Sequence, residues 1–225
     1  MSENLLSKRI LTFEDVARFP AGNSDEELVD AAKYDRSITS QYIKTDMVPI
    51  TGSTIYVRDS IAKKLTTVET KLRNRGLRLK VVYGYRHPMV QQKYFDTRKA
   101  AILIEYPNLS GIELDRYTHN FVAVPDIAGH PAGAAVDLTI INSDGTPLDM
   151  GTGIADYSDK EKIKTYADGL TDDQITNRKL LHDLMIDQEF APFYGEWWHF
   201  SYGDREWAAF YNKKALYGAV SFTKV

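Results

Sequence analysis

Five histidines stand in this chain, at positions 87, 119, 130, 182 and 199, and two of them lie among residues that could do chemistry. His130-Pro-Ala-Gly-Ala-Ala-Val-Asp137 puts an imidazole at the end of a turn-rich stretch and a carboxylate inside a run that is apolar apart from Thr139. A carboxylate taken out of water alone costs several kcal/mol unless it is paired or bound to a cation. Asp137 therefore needs a partner: a metal ion, neighbouring backbone N–H groups, or the guanidinium of Arg86. The small residues Gly133, Ala134 and Ala135 leave room for backbone or substrate to approach.

Glu196-Trp197-Trp198-His199 is the second group. Residues three apart face opposite sides of an ideal strand, so Glu196 and His199 share a site only if Glu196 lies at the strand's entrance or at a bulge. The other reading is two core tryptophans with polar flanks. Together, His130, Asp137 and His199 make a two-imidazole, one-carboxylate set that suits tetrahedral Zn²⁺ with a fourth position open to water. Glu196, beside the metal but not on it, then serves as general base. Arg86 supplies permanent positive charge to an oxygen that becomes anionic in a tetrahedral intermediate. His182 reads as a structural residue of a capped helix, and His87 and His119 as structural residues of turns.

Composition removes several alternatives. With no cysteine among 225 residues, thiolate nucleophiles, disulfides, iron–sulfur clusters and cysteine zinc sites are excluded, and any metal must be held by His and carboxylates. A formal charge of −3 supplies no positive field for a polyphosphate backbone, so nucleic acid is not an expected partner. No segment approaches about 18 consecutive apolar residues, and Glu3, Glu14 and Asp15 interrupt the N-terminal stretch, so neither a membrane span nor a leader is expected and a cytoplasmic location is. Gly151-Thr152-Gly153 lacks the rest of a dinucleotide fingerprint, and no G-x-S-x-G elbow is present.

The elements that must position these residues can be read from spacing. Ser24, followed by Asp25, Glu26 and Glu27, predicts a short helix start. Val57, Ile61, Leu65, Val68 and Leu72 predict a helix over 57–75, with Gly76 as its C-terminal cap. Leu77 to Tyr83 reads as a strand, Gly84 to Pro88 as a turn, and Pro88 as the start of a helix to about Glu105, which puts Arg86 at a strand-to-helix corner. Residues 106–130 read as a long loop, Ala134 to Ile141 as a strand, and Asn142 to Tyr157 as turns. Thr171-Asp172-Asp173-Gln174 is a capping box for a helix whose core face is Ile175, Leu180, Leu181, Leu184 and Met185. Phe193 to Tyr202 reads as a strand. The order predicts one α+β domain over 1–225: an irregular segment 1–55, a catalytic core 56–202 and a tail 203–225.

Gly84-Tyr85-Arg86, His130-x-x-Gly133-x-Ala135-x-Asp137 and Glu196-Trp197-Trp198-His199 resemble, in order and approximate spacing, the motifs of the VanX-type D-alanyl-D-alanine dipeptidases. The resemblance spans about residues 32–200 and reaches a wider group of zinc DD-peptidases with a Hedgehog-like α+β fold, a small, mostly antiparallel sheet flanked by helices. It implies one zinc ion on His130, Asp137 and His199, Glu196 as base and then as acid to the leaving amine, and Arg86 at the oxyanion. Tyr34, in Ala32-Lys33-Tyr34, matches the tyrosine that helps hold the substrate's free amine. Asp156 stands one position later than the family's amine-binding aspartate after Met150-Gly151. Ala128, Tyr83 and Pro131-Ala132 depart from the family pattern near the substrate. The implied substrate is D-Ala-D-Ala or a similar small D-amino-acid dipeptide. The alternatives are a DD-carboxypeptidase or endopeptidase acting on longer cell-wall peptides, and a non-catalytic, zinc-stabilised module that binds them.

Overall fold

A computed structural model describes residues 9–224. Two strands lie at its centre: one is buried along nearly all its length and runs almost wholly apolar, while the other alternates with Arg78 and Lys80 before its last three residues enter the core. β5 (Ala135–Asn142) is buried at all but its last position and pairs antiparallel with β4 (Leu77–Tyr83). Beyond β5, β7 (His199–Ser201) and β6 (Ala191–Pro192) continue the sheet antiparallel. On the other side β2 (Thr39–Ser40) joins β4 in parallel, giving the order β2-β4-β5-β7-β6. β1 (Leu28–Asp30) and β3 (Tyr56–Arg58) form a separate antiparallel pair. The fold is α+β with a small, mostly antiparallel sheet, as expected.

α3 (Asp59–Arg73) packs Ile61, Leu65, Val68 and Leu72 into the main core, all fully buried, while Val57 reaches the same core from β3. Pro88 opens α4 (Pro88–Glu105), and Arg86 lies at the corner between β4 and α4. α6 (Asp172–Ile186) begins with both capping-box bonds made between Thr171 and Gln174. Leu181, Leu184 and Met185 are buried on it, but Ile175 is half exposed, because the first turn of α6 projects past the core. Removing the cap by Thr171→Ala should cost about 1 kcal/mol, seen as a lower denaturant midpoint at unchanged slope.

Five sequence expectations are corrected. The N-terminal 55 residues are not irregular throughout: they carry α1 (Phe13–Ala17), β1, β2 and α2 (Val48–Thr51). No helix starts at Ser24: residues 24–27 have no regular structure and lead into β1, where Val29 is buried, and Glu26 instead accepts the backbone N–H of Ser60 at 2.6 Å near the start of α3. The acid assigned to its own helix serves the dipole of another. Within 106–130 the chain forms α5 (Gly111–His119), which buries Leu114 and Thr118 and is tied to α4 by the Lys99–Asp115 ion pair at 2.5 Å. Phe193 to Trp198 is a turn between β6 and β7, not strand, closed by Glu196 N–H on Phe193 O at 3.0 Å. Its aromatic content reflects core packing of Trp197 and Trp198. Residues after 202 are not merely a tail, since α7 (Arg205–Tyr211) returns to the sheet edge with Trp207 and Ala208 buried against Ala191. The expectation about a leader rests partly on residues 1–8, which lie outside the described residues. Among the described residues no helix is long and apolar enough to cross a membrane.

Candidate metal centre and its cavity

Sheet register brings the first two residues together. Asp137 of β5 is the cross-strand partner of His199 on β7 and, past a register shift in β4, of Tyr83. Directly opposed residues point to one face, so the Asp137 and His199 side chains are neighbours by construction. His199 Nδ1 lies 2.9 Å from Asp137 Oδ1. Glu196 sits in the turn three residues before, at the entrance of β7, one of the two placements in which it can share a site with His199.

His130 comes from a short 3-10 turn, His130–Ala132, just ahead of β5. Gly133 ends that turn with φ +66°, and the space a Cβ would need there holds a methyl of Leu28, 2.2 Å from the Cβ position. The small residue thus serves packing and chain reversal; neither Gly133, Ala134 nor Ala135 lines the cavity. Gly84 is equally confined, since a Cβ would fall 2.5 Å from Tyr56 O. Its carbonyl oxygen lies 2.7 Å from His130 Nδ1.

That bond sets the protonation of the ring. Burial holds the His130 imidazole down at about 4, so at neutral pH it carries one proton. A carbonyl only accepts, so the proton is on Nδ1 and Nε2 presents a lone pair. Nε2 faces Asp137 Oδ2 at 3.5 Å. Asp137 stays ionised: burial alone would raise it, but the protonated His199, 2.9 Å away, helps to hold it far below the carboxylate range. Two acceptors therefore face each other across a buried gap, an arrangement that a cation relieves. One ligand atom each from His130, Asp137 and His199 lies within 4.8 Å of the others, so the donor set and its spacing fit a divalent metal of the zinc type.

His199 is different. Burial favours its neutral form, but the hydrogen bond and charge of Asp137 prevail and lift it to about 9. Glu196 is pushed up by burial to about 7, and one of its oxygens accepts the Tyr157 hydroxyl at 3.1 Å. Arg86 is partly buried, with its guanidinium carbon 4.5 Å from the centre of the Tyr83 ring and 5.0 Å from that of Tyr94, and Nη1 donates to Gln91 Oε1 at 2.8 Å. All three metal-capable residues, with Glu196 and Arg86, line one cavity of about 360 Å³.

The family model described as D-ala-D-ala dipeptidase matches residues 27–220. The chain belongs to the D-Ala-D-Ala dipeptidase family. Curated members of this family named D-alanyl-D-alanine dipeptidase include one from Synechocystis sp., 36% identical over a segment covering 40% of this chain and 43% of that protein. One from Enterococcus faecalis is 31% identical over 49% of this chain and 52% of its own length. The chain thus spans about half the length of the curated dipeptidases it matches. Among solved structures, the LdcB LD-carboxypeptidase aligns at 18% identity over 87% of this chain and 78% of that one, with a TM-score of 0.47. VanYB in complex with D-alanine-D-alanine aligns at 17% identity over 94% and 95%, with a TM-score of 0.47.

Two residues that the D-Ala-D-Ala dipeptidase motifs single out stand elsewhere. Tyr34 is exposed; its hydroxyl donates to Asp59 Oδ1 at 2.6 Å and its ring lies near Lys33 and Lys63. Asp156 is exposed and accepts the Ser158 backbone N–H at 3.1 Å. Neither lines the cavity. His119, read as structural, does line it, with Nδ1 accepting the Val124 N–H at 3.2 Å. Sequence reasoning missed Glu206, which α7 places in the cavity wall with Oε2 3.8 Å from His199 Nε2; burial pushes it up to about 7. The only signal for it was the helix start Gly203-Asp204-Arg205-Glu206 soon after the His199 motif.

Proposed function

We propose that this chain is a zinc-dependent dipeptidase that hydrolyses D-alanyl-D-alanine. Membership of the family supports the substrate class. The observation that carries the zinc centre is the facing pair of acceptors, His130 Nε2 and Asp137 Oδ2, with His199 closing the set.

His130, Asp137 and His199 would hold the ion. Zinc, when bound, supplies Lewis acidity toward a carbonyl oxygen and lowers the pKa of a water molecule. Glu196 takes the proton of the attacking water and then delivers it to the departing amine, a double duty suited to a carboxyl held near neutrality by burial. Tyr157 holds the Glu196 carboxylate through its hydroxyl and fixes its direction. Arg86, stacked between two tyrosines and anchored on Gln91, meets the negative charge that develops on the carbonyl oxygen. Glu206, on the Nε2 side of His199, orients that imidazole.

The test is D-alanine release by the zinc-loaded protein from free D-Ala-D-Ala, run beside the same dipeptide acylated on its amine. Cleavage of the free dipeptide alone is the expected result. A second reading, a carboxypeptidase acting on longer cell-wall peptides, is favoured by the position of Tyr34 and Asp156 outside the cavity, and preference for the acylated dipeptide would establish it. No release from either substrate would remove the dipeptidase reading. In the same assay Arg86→Ala should lower kcat by about 10²- to 10³-fold with zinc retained. A change in KM alone would make Arg86 a substrate anchor instead.

A further inference from the structure

Away from the metal end, the cavity follows one face of α4, where Gln91, Tyr94, Arg98 and Ala101 recur at three- and four-residue spacing and all line the wall. The acids of the cavity, Asp137, Glu196 and Glu206, gather around His199. The α4 side carries cations: Arg86, Lys44, whose ammonium lies 5.4 Å from the centre of the Tyr94 ring, and Arg98. Arg98 rests on Phe121 with its guanidinium carbon 4.0 Å from the ring centre. Its Nε is buried and has no hydrogen-bond partner, and among the described residues no carboxylate pairs with it. A buried charged donor that lacks an acceptor, in the wall of a cavity, is completed by an anion that enters it.

The spacing identifies that anion. Arg86 lies against Tyr94, and the backbone of Arg98 stands four residues, about 6 Å of helix rise, further along the same face. In a dipeptide the terminal carboxylate follows the scissile carbonyl by one residue, about 3.5 Å of extended chain. With the carbonyl at Arg86, the carboxylate lies further along the cavity, and Arg98, which lines the same cavity on the α4 side, is a forked donor suited to receive it. We propose that Arg98 binds the C-terminal carboxylate of the departing D-amino acid and so determines specificity for substrates with a free C-terminus. This rests on the peptidase reading above and assigns a residue that the three sequence motifs do not contain.

The test uses zinc-loaded Glu196→Gln protein, which holds ligand without turnover, and follows arginine Nε–H resonances by NMR, with Arg98 identified by the signal lost in Arg98→Met. D-Ala-D-Ala and N-acetyl-D-Ala-D-Ala should both move that resonance, and D-alanyl-D-alaninamide should not. In enzyme active at Glu196, Arg98→Met should raise KM for D-Ala-D-Ala about 10- to 100-fold with little change in kcat and abolish the preference for carboxylate over amide, and Arg98→Lys should restore part of it. An unmoved Arg98 resonance with both carboxylate ligands, or equal weakening of carboxylate and amide by Arg98→Met, overturns the proposal. A moved resonance without hydrolysis in the active enzyme sinks the dipeptidase reading and leaves Arg98 as an anion-binding residue.

Discussion

Glu196→Gln should lower kcat for D-Ala-D-Ala by about 10²- to 10⁴-fold while zinc stays near one per chain. The two readouts separate because the residue occupies a different place from the metal set: it sits in the turn before β7, outside the three groups whose ligand atoms converge, yet in the same cavity wall. Glutamine keeps the size and the acceptor that the Tyr157 hydroxyl needs at 3.1 Å, so the local packing survives. What disappears is the ability to take a proton and give it back. The pH profile adds an independent check. Glu196 must be ionised to act as base, so kcat/KM should rise with pH through its pKa. Burial places that pKa at about 7 without a metal, and a neighbouring dication moves the limb below it. Zinc analysis beside D-alanine release decides the matter: turnover within a few-fold of wild type would remove Glu196 from the base role, and loss of zinc would make it a ligand.

How much of this was legible in the sequence depended on how local the signal was. The strand-to-helix corner at Arg86 was readable because Leu77 to Tyr83 alternates and then turns continuously apolar, and Pro88 is suited to a first helical turn. The capping box before α6 was readable for the same reason, since both of its bonds lie within four residues. The two motifs around Asp137 and His199 named a chemistry, but only the antiparallel pairing of β5 with β7 puts those side chains opposite each other. Short elements were lost. β1 and β7 have three residues each, too few for a period to show, and their existence is decided by partners far away in the chain. α5 reads as loop because Pro107, Gly111, Pro125 and Gly129 punctuate the stretch, and with only Leu114 and Thr118 of its nine residues buried it has little apolar period to set against them. Glu206 was out of reach because its place in the site depends on α7 folding back on the sheet edge, a tertiary fact with no local pattern. Tyr34 and Asp156 differ in another way: resemblance of a short segment implies a role for them, while the fold holds both side chains on the surface.

Asp137→Asn should strip the metal with little change in shape, and of all single substitutions it should give the greatest loss of zinc. The carboxylate is the only negative ligand in the set, it faces His130 Nε2 at 3.5 Å, and it lies 2.9 Å from His199 Nδ1. An amide of the same size keeps one acceptor but brings no charge, so zinc affinity should fall by more than the 10- to 100-fold typical of losing an outer partner. Competition against a chelator of known affinity measures it. The same substitution tests the electrostatic account in the metal-free protein. Asp137 raises His199 to about 9, so the pair contributes stability that is complete below the ordinary histidine pKa and fades as pH climbs through about 9. Zinc has to displace that proton, and wild-type affinity should therefore rise about tenfold per pH unit between pH 7 and 9. In Asp137→Asn the His199 pKa should drop toward its ordinary value, read from its ring resonances, and both the alkaline loss of stability and most of the pH dependence of zinc binding above neutrality should vanish. A variant that still held zinc at wild-type affinity would show that the two imidazoles recruit some other group, with Glu206, 3.8 Å from His199 Nε2, the next carboxylate to replace.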